Sequence, residues 1–302
     1  PEEVYVSAMG LKDITAQFHQ ELKLKTVKTG DKIDVGGDTI SFVEARMLHW
    51  PDSMFSYLEK ENVLFTNDVF GMHYATSKLF DDENEERMWL YEAEKYYANI
   101  VLPYSDIVLR FLDQVKKMGL APRIIAPDHG FVWRKDPAKI VNLYAKWAAQ
   151  APKNKAVIVY DTMWGSTEKM AVQIADALRE GGTEVKQLSM HACHRSDIAT
   201  ELLDASALIV GSPVLNSGIF PSLADVLCYL KGLRKKGLVG ATFGSYGWSP
   251  APIDELGKML ETMGVQVVAP AVKSLFVPDE TVLKNCRELG LTVSKEVAKK
   301  LQ

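Results

Sequence analysis

The sequence predicts an α/β protein in two parts: a layered α/β domain over residues 1–150, then a doubly wound parallel five-stranded sheet over residues 151–302. Three observations carry this. After residue 155, apolar strand-like runs alternate with amphipathic helical segments five times, and continuous apolar strands belong to a parallel sheet covered by helices on both faces. A small, polar, Pro-containing stretch, Ala149-Gln150-Ala151-Pro152-Lys153-Asn154-Lys155, separates that pattern from a different one before it. Finally, 302 residues are more than one core usually holds and comfortable for two.

Before the linker, residues 27–42 hold short strands around the hairpin-type turns Gly30-Asp31 and Gly36-Gly37-Asp38. Residues 63–65 form another strand. The acidic run 81–86 opens a long aromatic helical region through Tyr97, residues 106–118 form a second amphipathic helix, and 124–126 return as a strand. Their strand order is not readable from the pattern. After the linker, 156–160 is a strand and 168–179 a helix with Met170, Ile174, Ala177 and Leu178 on one face, stopped by Gly181-Gly182. The alternation continues with strand 184–188, helix 196–203, strand 207–210, helix 222–233, strand 238–243, helix 253–263, strand 265–272 and a closing helix 279–301.

With 47% hydrophobic and 25% charged residues the chain has ample material for packed interiors. Its net charge of -4, from 35 basic against 39 acidic side chains, gives no broad electropositive surface and argues against nucleic acid. Cys193, Cys228 and Cys286 form neither a zinc pattern nor an even disulfide set, so they read as buried thiols in a reducing compartment. No run of eighteen apolar residues and no secretory leader pattern occurs, which makes a cytoplasmic protein without membrane association the expectation. Because Pro1 is followed almost at once by strand-like Val4-Tyr5-Val6, the sequence is expected to begin inside a domain.

The segment Thr162, Met163, Trp164, Gly165, Ser166 and Thr167 lies between the first strand of the second half and its helix. A phosphomonoester there would meet unpaired N–H groups, the positive end of the helix dipole and several hydroxyls. The same hydroxyls would serve equally as helix caps. Two further segments follow the third and fourth strands: Ser212, Pro213, Val214, Leu215 and Asn216, and Ser245, Tyr246, Gly247 and Trp248. Ligands of doubly wound sheets bind outside the carboxyl ends of strands, so these aromatics are candidates for flanking a planar ring, with partly buried packing as the alternative.

In the first half His49, Asp68 and His129 each follow a strand-like run. Imidazole and carboxylate donors gathered from separate loops suit zinc or non-haem iron, and an Asp can bridge two metals with its two oxygens. Each His also fits a hydrogen-bonded structural role. His73 is read as structural, with a supporting position beside the metals as its alternative.

From Lys155 onward the chain resembles the flavodoxin family, whose first loop holds the FMN phosphate and whose other two embrace the isoalloxazine; the matching positions are 162–167, 212–216 and 245–248. No G-x-G-x-x-G fingerprint occurs, which favours FMN over NAD or FAD. From about Val4 to the linker the chain resembles a truncated metallo-β-lactamase-like αββα domain, through G-D, H-W-P-D-S, L-F-x-x-D-x-F-G and P-x-H-G. There His49, Asp68 and His129 match the later metal ligands, with Asp68 at the bridging position. The two in this order resemble the flavodiiron family, in particular its rubredoxin:oxygen oxidoreductase branch. That resemblance implies FMN, two non-haem iron ions, rubredoxin or a similar donor, dioxygen or nitric oxide as substrate, and a head-to-tail homodimer. The family's earlier ligands lie in an H-x-E-x-D motif, and none occurs between Pro1 and Leu48, where the only His is His19. This chain alone is therefore expected to bind two metals poorly. A metal-dependent hydrolase and a plain FMN electron carrier are the competing readings.

Overall fold

The computed structural model describes residues 3–302; residues 1 and 2, the start of the expected first domain, lie outside the described residues. The chain forms two compact units that divide after Ala149.

The first unit runs β1 (Val4–Val6), α1 (Ala8–Phe18), β2 (Leu24–Thr26), β3 (Lys32–Asp34), β4 (Thr39–Glu44), β5 (Met54–Leu58), β6 (Val63–Phe65), α2 (Glu86–Tyr96), α3 (Ser105–Lys117), β7 (Ile124–Ala126) and α4 (Pro137–Ala148). Helix α1 starts because the Ser7 hydroxyl accepts from the Gly10 N–H at 3.1 Å, and it ends where His19 turns left-handed, so His19 caps this helix. Strands β3 to β7 pair in sequence order, antiparallel except for the parallel β6–β7 pair, while β1 and β2 form a separate parallel pair. The aromatic helical region expected through Tyr97 is present, and it changes character at that residue. Helix α2 ends at Tyr96, a wider π turn covers Tyr97–Val101, and a 3-10 turn follows at Leu102–Tyr104, where Pro103 has no N–H to continue the α ladder. Rings fill the interior: Phe55 meets Phe111 edge-on at 4.9 Å, Phe70 meets Tyr144 at 4.9 Å, and Phe131 meets Trp133 at 4.8 Å.

The second unit runs β8 (Lys155–Tyr160), α5 (Ser166–Glu180), β9 (Glu184–Ser189), α6 (Arg195–Leu202), β10 (Ala207–Leu215), β11 (Gly218–Ile219), α7 (Pro221–Leu233), β12 (Val239–Tyr246), α8 (Ala251–Thr262), β13 (Gln266–Val267), β14 (Val272–Leu275) and α9 (Glu280–Lys300). The sheet order is β13-β12-β10-β8-β9 with all neighbours parallel, the doubly wound order of flavodoxins, whose switch point lies between β8 and β10. Two expectations need correction. The fifth strand, expected as 265–272, is split into β13 and β14, which pair with successive parts of β12; Pro270 between them cannot donate to the ladder. The loops expected after the third and fourth strands are largely strand, because β10 and β12 stay paired through Pro213 and Ser245 and β10 then folds back on β11. Met170, Ile174 and Leu178 of α5 are fully buried against Leu289, Val293 and Val297 of α9, and each such side chain contributes roughly 1.5–3 kcal/mol on burial. Gly290 allows the approach, since a Cβ there would lie 2.6 Å from the Ile174 carbonyl oxygen.

Candidate flavin pocket and metal centre

A cavity of about 430 Å³ opens at the carboxyl ends of β8, β10, β12 and β14, a volume typical of small-molecule sites. Of the sequence-predicted residues, Met163, Trp164, Ser166, Pro213, Val214, Leu215, Asn216, Ser245, Tyr246, Gly247 and Trp248 line it. Trp164 is 91% exposed and Trp248 78% exposed, so these rings stand at the rim with no protein packed over them, and ring packing is not their role. The turn ahead of α5 is self-supporting: Thr162 Oγ1 accepts the Gly165 N–H at 3.0 Å, and Gly165, at φ 82°, serves as an N-cap without a side chain. The first-turn N–H groups of α5 therefore keep their anion-binding direction.

The predicted donor Thr167 and the predicted binding residue Ser212 turn their hydroxyls elsewhere. The Thr167 hydroxyl is buried against the Ser245 hydroxyl at 3.1 Å, and the Ser212 hydroxyl donates to the Pro213 carbonyl while accepting the Phe220 N–H. Phe276 and Val277, which also line the cavity, escaped sequence reasoning. They follow β14, so the rule of ligands at strand ends would have found them had the fifth strand been read to its true end.

In the first unit His49, Asp68 and His129 do converge. His49 sits in the β4–β5 connection, tied down by the buried Leu48 and by hydrogen bonds from the Leu48 N–H to Ala45 and the Met47 N–H to Trp50. Asp68 follows β6 and His129 follows β7, so the parallel register Phe65↔Ala126 delivers both to one end of the sheet. The Asp128 N–H donates to the Asn67 carbonyl at 2.9 Å and locks the two loops together. Gly71 lets the chain pass His129 closely, since a Cβ there would lie 2.9 Å from the His129 carbonyl oxygen.

Asp68 stands between the two imidazoles: Oδ2 lies 3.3 Å from His49 Nε2, and Oδ1 lies 3.2 Å from His129 Nε2. The hydrogen bond with His129 holds the Asp68 carboxyl below the usual range against the opposing effect of burial, and the same bond raises the His129 pKa. His129 Nδ1 lies 3.3 Å from the Met72 carbonyl oxygen, an acceptor that favours a proton on Nδ1 and orients Nε2 toward Asp68. The Tyr96 hydroxyl, not foreseen from sequence, lies 3.4 Å from that Nε2. His73 is exposed, its ring 5.3 Å from His129 and 5.0 Å from Tyr96. Among the described residues no three His, Cys, Asp or Glu side chains surround a single ion position. The geometry explains this, because each Asp68 oxygen faces a different His and two half-sets are formed instead of one full set.

Comparison with known proteins decides the family. A family model described as ODP family beta lactamase matches residues 5–130, and one described as Flavodoxin matches residues 158–290. A nitric oxide reductase of Moorella thermoacetica is 44% identical over 281 residues, covering 93% of this chain and 70% of that protein. The chain belongs to the flavodiiron family. The solved structure of the rubredoxin oxygen:oxidoreductase from Desulfovibrio gigas superposes with a TM-score of 0.97 at 40% identity, covering 100% of this chain and 76% of the other. A flavodiiron protein from Giardia intestinalis gives a TM-score of 0.93 at 26% identity, covering 99% and 74%. The flavodiiron chain described here thus has a metallo-β-lactamase-like domain followed by a flavodoxin-like domain, with FMN as the flavin and a non-haem diiron site as the family's metal centre. Its cavity fits FMN in volume and in uncovered aromatic rim. Its donor set, one imidazole and one carboxylate oxygen on each side of Asp68, fits one half of a two-iron shell.

Proposed function

We propose that this flavodiiron chain is an oxidoreductase that passes electrons from a donor such as rubredoxin through FMN to a diiron site, where dioxygen is reduced to water or nitric oxide to nitrous oxide. The observation that carries the reading is the presence on one chain of a flavin-sized, aromatic-rimmed cavity and of the His49–Asp68–His129 arrangement. The names of the relatives, a nitric oxide reductase and a rubredoxin-oxygen oxidoreductase, support it.

When bound, FMN supplies electrons singly or in pairs and the irons supply the redox capacity for the gas substrate. The chain's own residues provide placement. The α5 N-terminus and the Ser166 hydroxyl would receive the phosphate, and Trp164 and Trp248 would flank the ring. Asp68, His49 and His129 would be among the groups that hold the irons, with Asp68 the carboxylate both histidines face. The Met72 carbonyl holds the His129 proton on Nδ1, and the Tyr96 hydroxyl offers a proton donor beside Nε2. We further propose the head-to-tail homodimer implied by the family resemblance, in which one subunit's flavin serves the partner's irons, and a cytoplasmic setting. Among the described residues no helix is long and apolar enough to cross a membrane, and the three cysteines are free.

The test is direct. Protein carrying iron and flavin, given reduced rubredoxin and oxygen, should consume oxygen steadily. Zinc in place of iron would support the hydrolase, and flavin reduction with only slow autoxidation would support a plain electron carrier. A monomer in sedimentation that still turned over rapidly would defeat the dimer.

A further inference from the structure

Asp161 directly follows β8 and is 3% exposed. Its Oδ1 accepts the Thr162 N–H at 2.7 Å and lies 3.0 Å from His191 Nε2, while Oδ2 accepts the Ser222 hydroxyl. His191 Nε2 also lies 3.0 Å from the Thr162 carbonyl oxygen. Both neighbours of Nε2 are acceptors, so that nitrogen carries a proton in either charge state. One buried carboxylate thereby ties together the turn before α5, the loop after β9 and the start of α7.

A carboxylate is an unexpected neighbour for an FMN phosphate, which carries close to two negative charges at neutral pH. Segment 162–167 contains no Lys or Arg to offset it. The charged groups that face His191 are Asp161 and, from α5, Glu168. On its own loop and on α7, Arg195 pairs with Asp225 at 2.7 Å, and His194 Nδ1 bonds the Ser196 hydroxyl at 2.8 Å. The hydrogen bond to the Thr162 carbonyl and the nearby Asp161 charge raise the His191 pKa above the ordinary histidine value.

We propose that His191 is a positioning residue for the flavin phosphate: it latches the Thr162 carbonyl and, when protonated, offsets the Asp161 charge, so that FMN affinity falls as His191 loses its proton. This rests on reading the cavity as the FMN site. His191 is titrated in place because its ring is largely solvent-exposed, and that same exposure screens its charge and keeps the effect modest.

The experiment measures the FMN dissociation constant from the fluorescence of released flavin between about pH 6.5 and pH 9, above the second phosphate pKa. Wild-type protein should weaken about two- to fivefold across that range, the scale of one solvent-screened charge pair. H191Q keeps an amide donor for Thr162 without the charge, and should bind at the weaker affinity with a flat profile. H191K, charged throughout, should hold the tighter affinity to the top of the range. Riboflavin, which has no phosphate, should show no pH slope. Coincident wild-type and H191Q profiles, or an equal slope for riboflavin, would overturn the proposal. Failure of every variant to hold FMN at any pH would defeat the flavin reading beneath it.

Discussion

In the second unit the ligand cavity is made by the carboxyl ends of strands in one parallel sheet, and the residues that line it lie within the same unit that supports them. In the first unit the candidate metal donors His49, Asp68 and His129 come from three separate loops, and what they form is two half-sets around one carboxylate. The interiors differ in the same sense. Mostly aliphatic side chains fill the space between sheet and helices in the second unit, whereas edge-on aromatic rings fill the first. A site built from consecutive strand–helix repeats is complete wherever the repeats are present, but a site gathered from distant loops depends on every contributor.

The largest expected effect tests that dependence. Asp68→Ala removes the one group both histidines share, and oxygen consumption should fall about 100-fold or more while flavin reduction by the donor is unchanged. Near-normal oxygen uptake in an electrode assay would show that Asp68 is not the shared ligand.

Next is the framework of the flavin side. A Cβ at Gly244 would lie 2.1 Å from the Ser212 carbonyl oxygen of the neighbouring strand, so Gly244→Ala should cost about 3 kcal/mol through overpacking. Gly165→Ala meets open space and only the positive φ, so its cost should be about 1 kcal/mol. Denaturant unfolding followed by flavin fluorescence would rank them, and a reversed order would remove the argument for strand pairing beyond Gly211.

A smaller effect separates binding from folding. Trp164→Ala should weaken FMN binding about tenfold by loss of ring stacking and leave the unfolding midpoint unchanged, since the ring has no protein cover. A shifted midpoint with unchanged affinity would make Trp164 a packing residue.

The smallest effect lies at the opposite end of the same sheet. Burial acts to raise the Asp204 pKa, but hydrogen bonds with Lys153 and Lys155 outweigh it and hold the carboxyl below its ordinary value. A depressed folded pKa gives stability that is present above the unfolded value of about 4 and is lost as pH falls through the folded one. The acid limb of the second unit's stability should therefore flatten in Asp204→Asn. An acid limb identical to wild type would show that the pair contributes nothing. Lys155 behaves in mirror image: burial acts to lower its pKa, the carboxylates of Glu201 and Asp204 raise it, and its contribution fades at high pH.

The alternation of strand and helix after residue 155 was readable because each strand carries its own apolar run, and the chemistry of the turn at 162–167 was readable because hydroxyls cluster there. Three things were not. The ends of β10 and β12 look like loops in Gly211-Ser212-Pro213 and Gly244-Ser245, and only their mutual pairing makes them strands. Strand β5 mixes Ser56 and Tyr57 into a short run without clear alternation, and it is defined by β4 and β6 on either side. The contacts of Tyr96 and Met72 with His129, and of Asp161 with His191, are geometric, since a hydroxyl, a main-chain carbonyl and a buried acid give no spacing signal along the chain.

The ladder between β6 and β7 has a consequence for how this protein can change over time. Because Phe65 faces Ala126 across two hydrogen-bonded strands, the spacing of Asp68 and His129 is set by that register and is independent of how much chain intervenes. Lengthening or trimming the exposed connection between α3 and β7 would remodel the outer surface while Asp68 and His129 stay in step, so lineages could diversify around this pair without having to reinvent it.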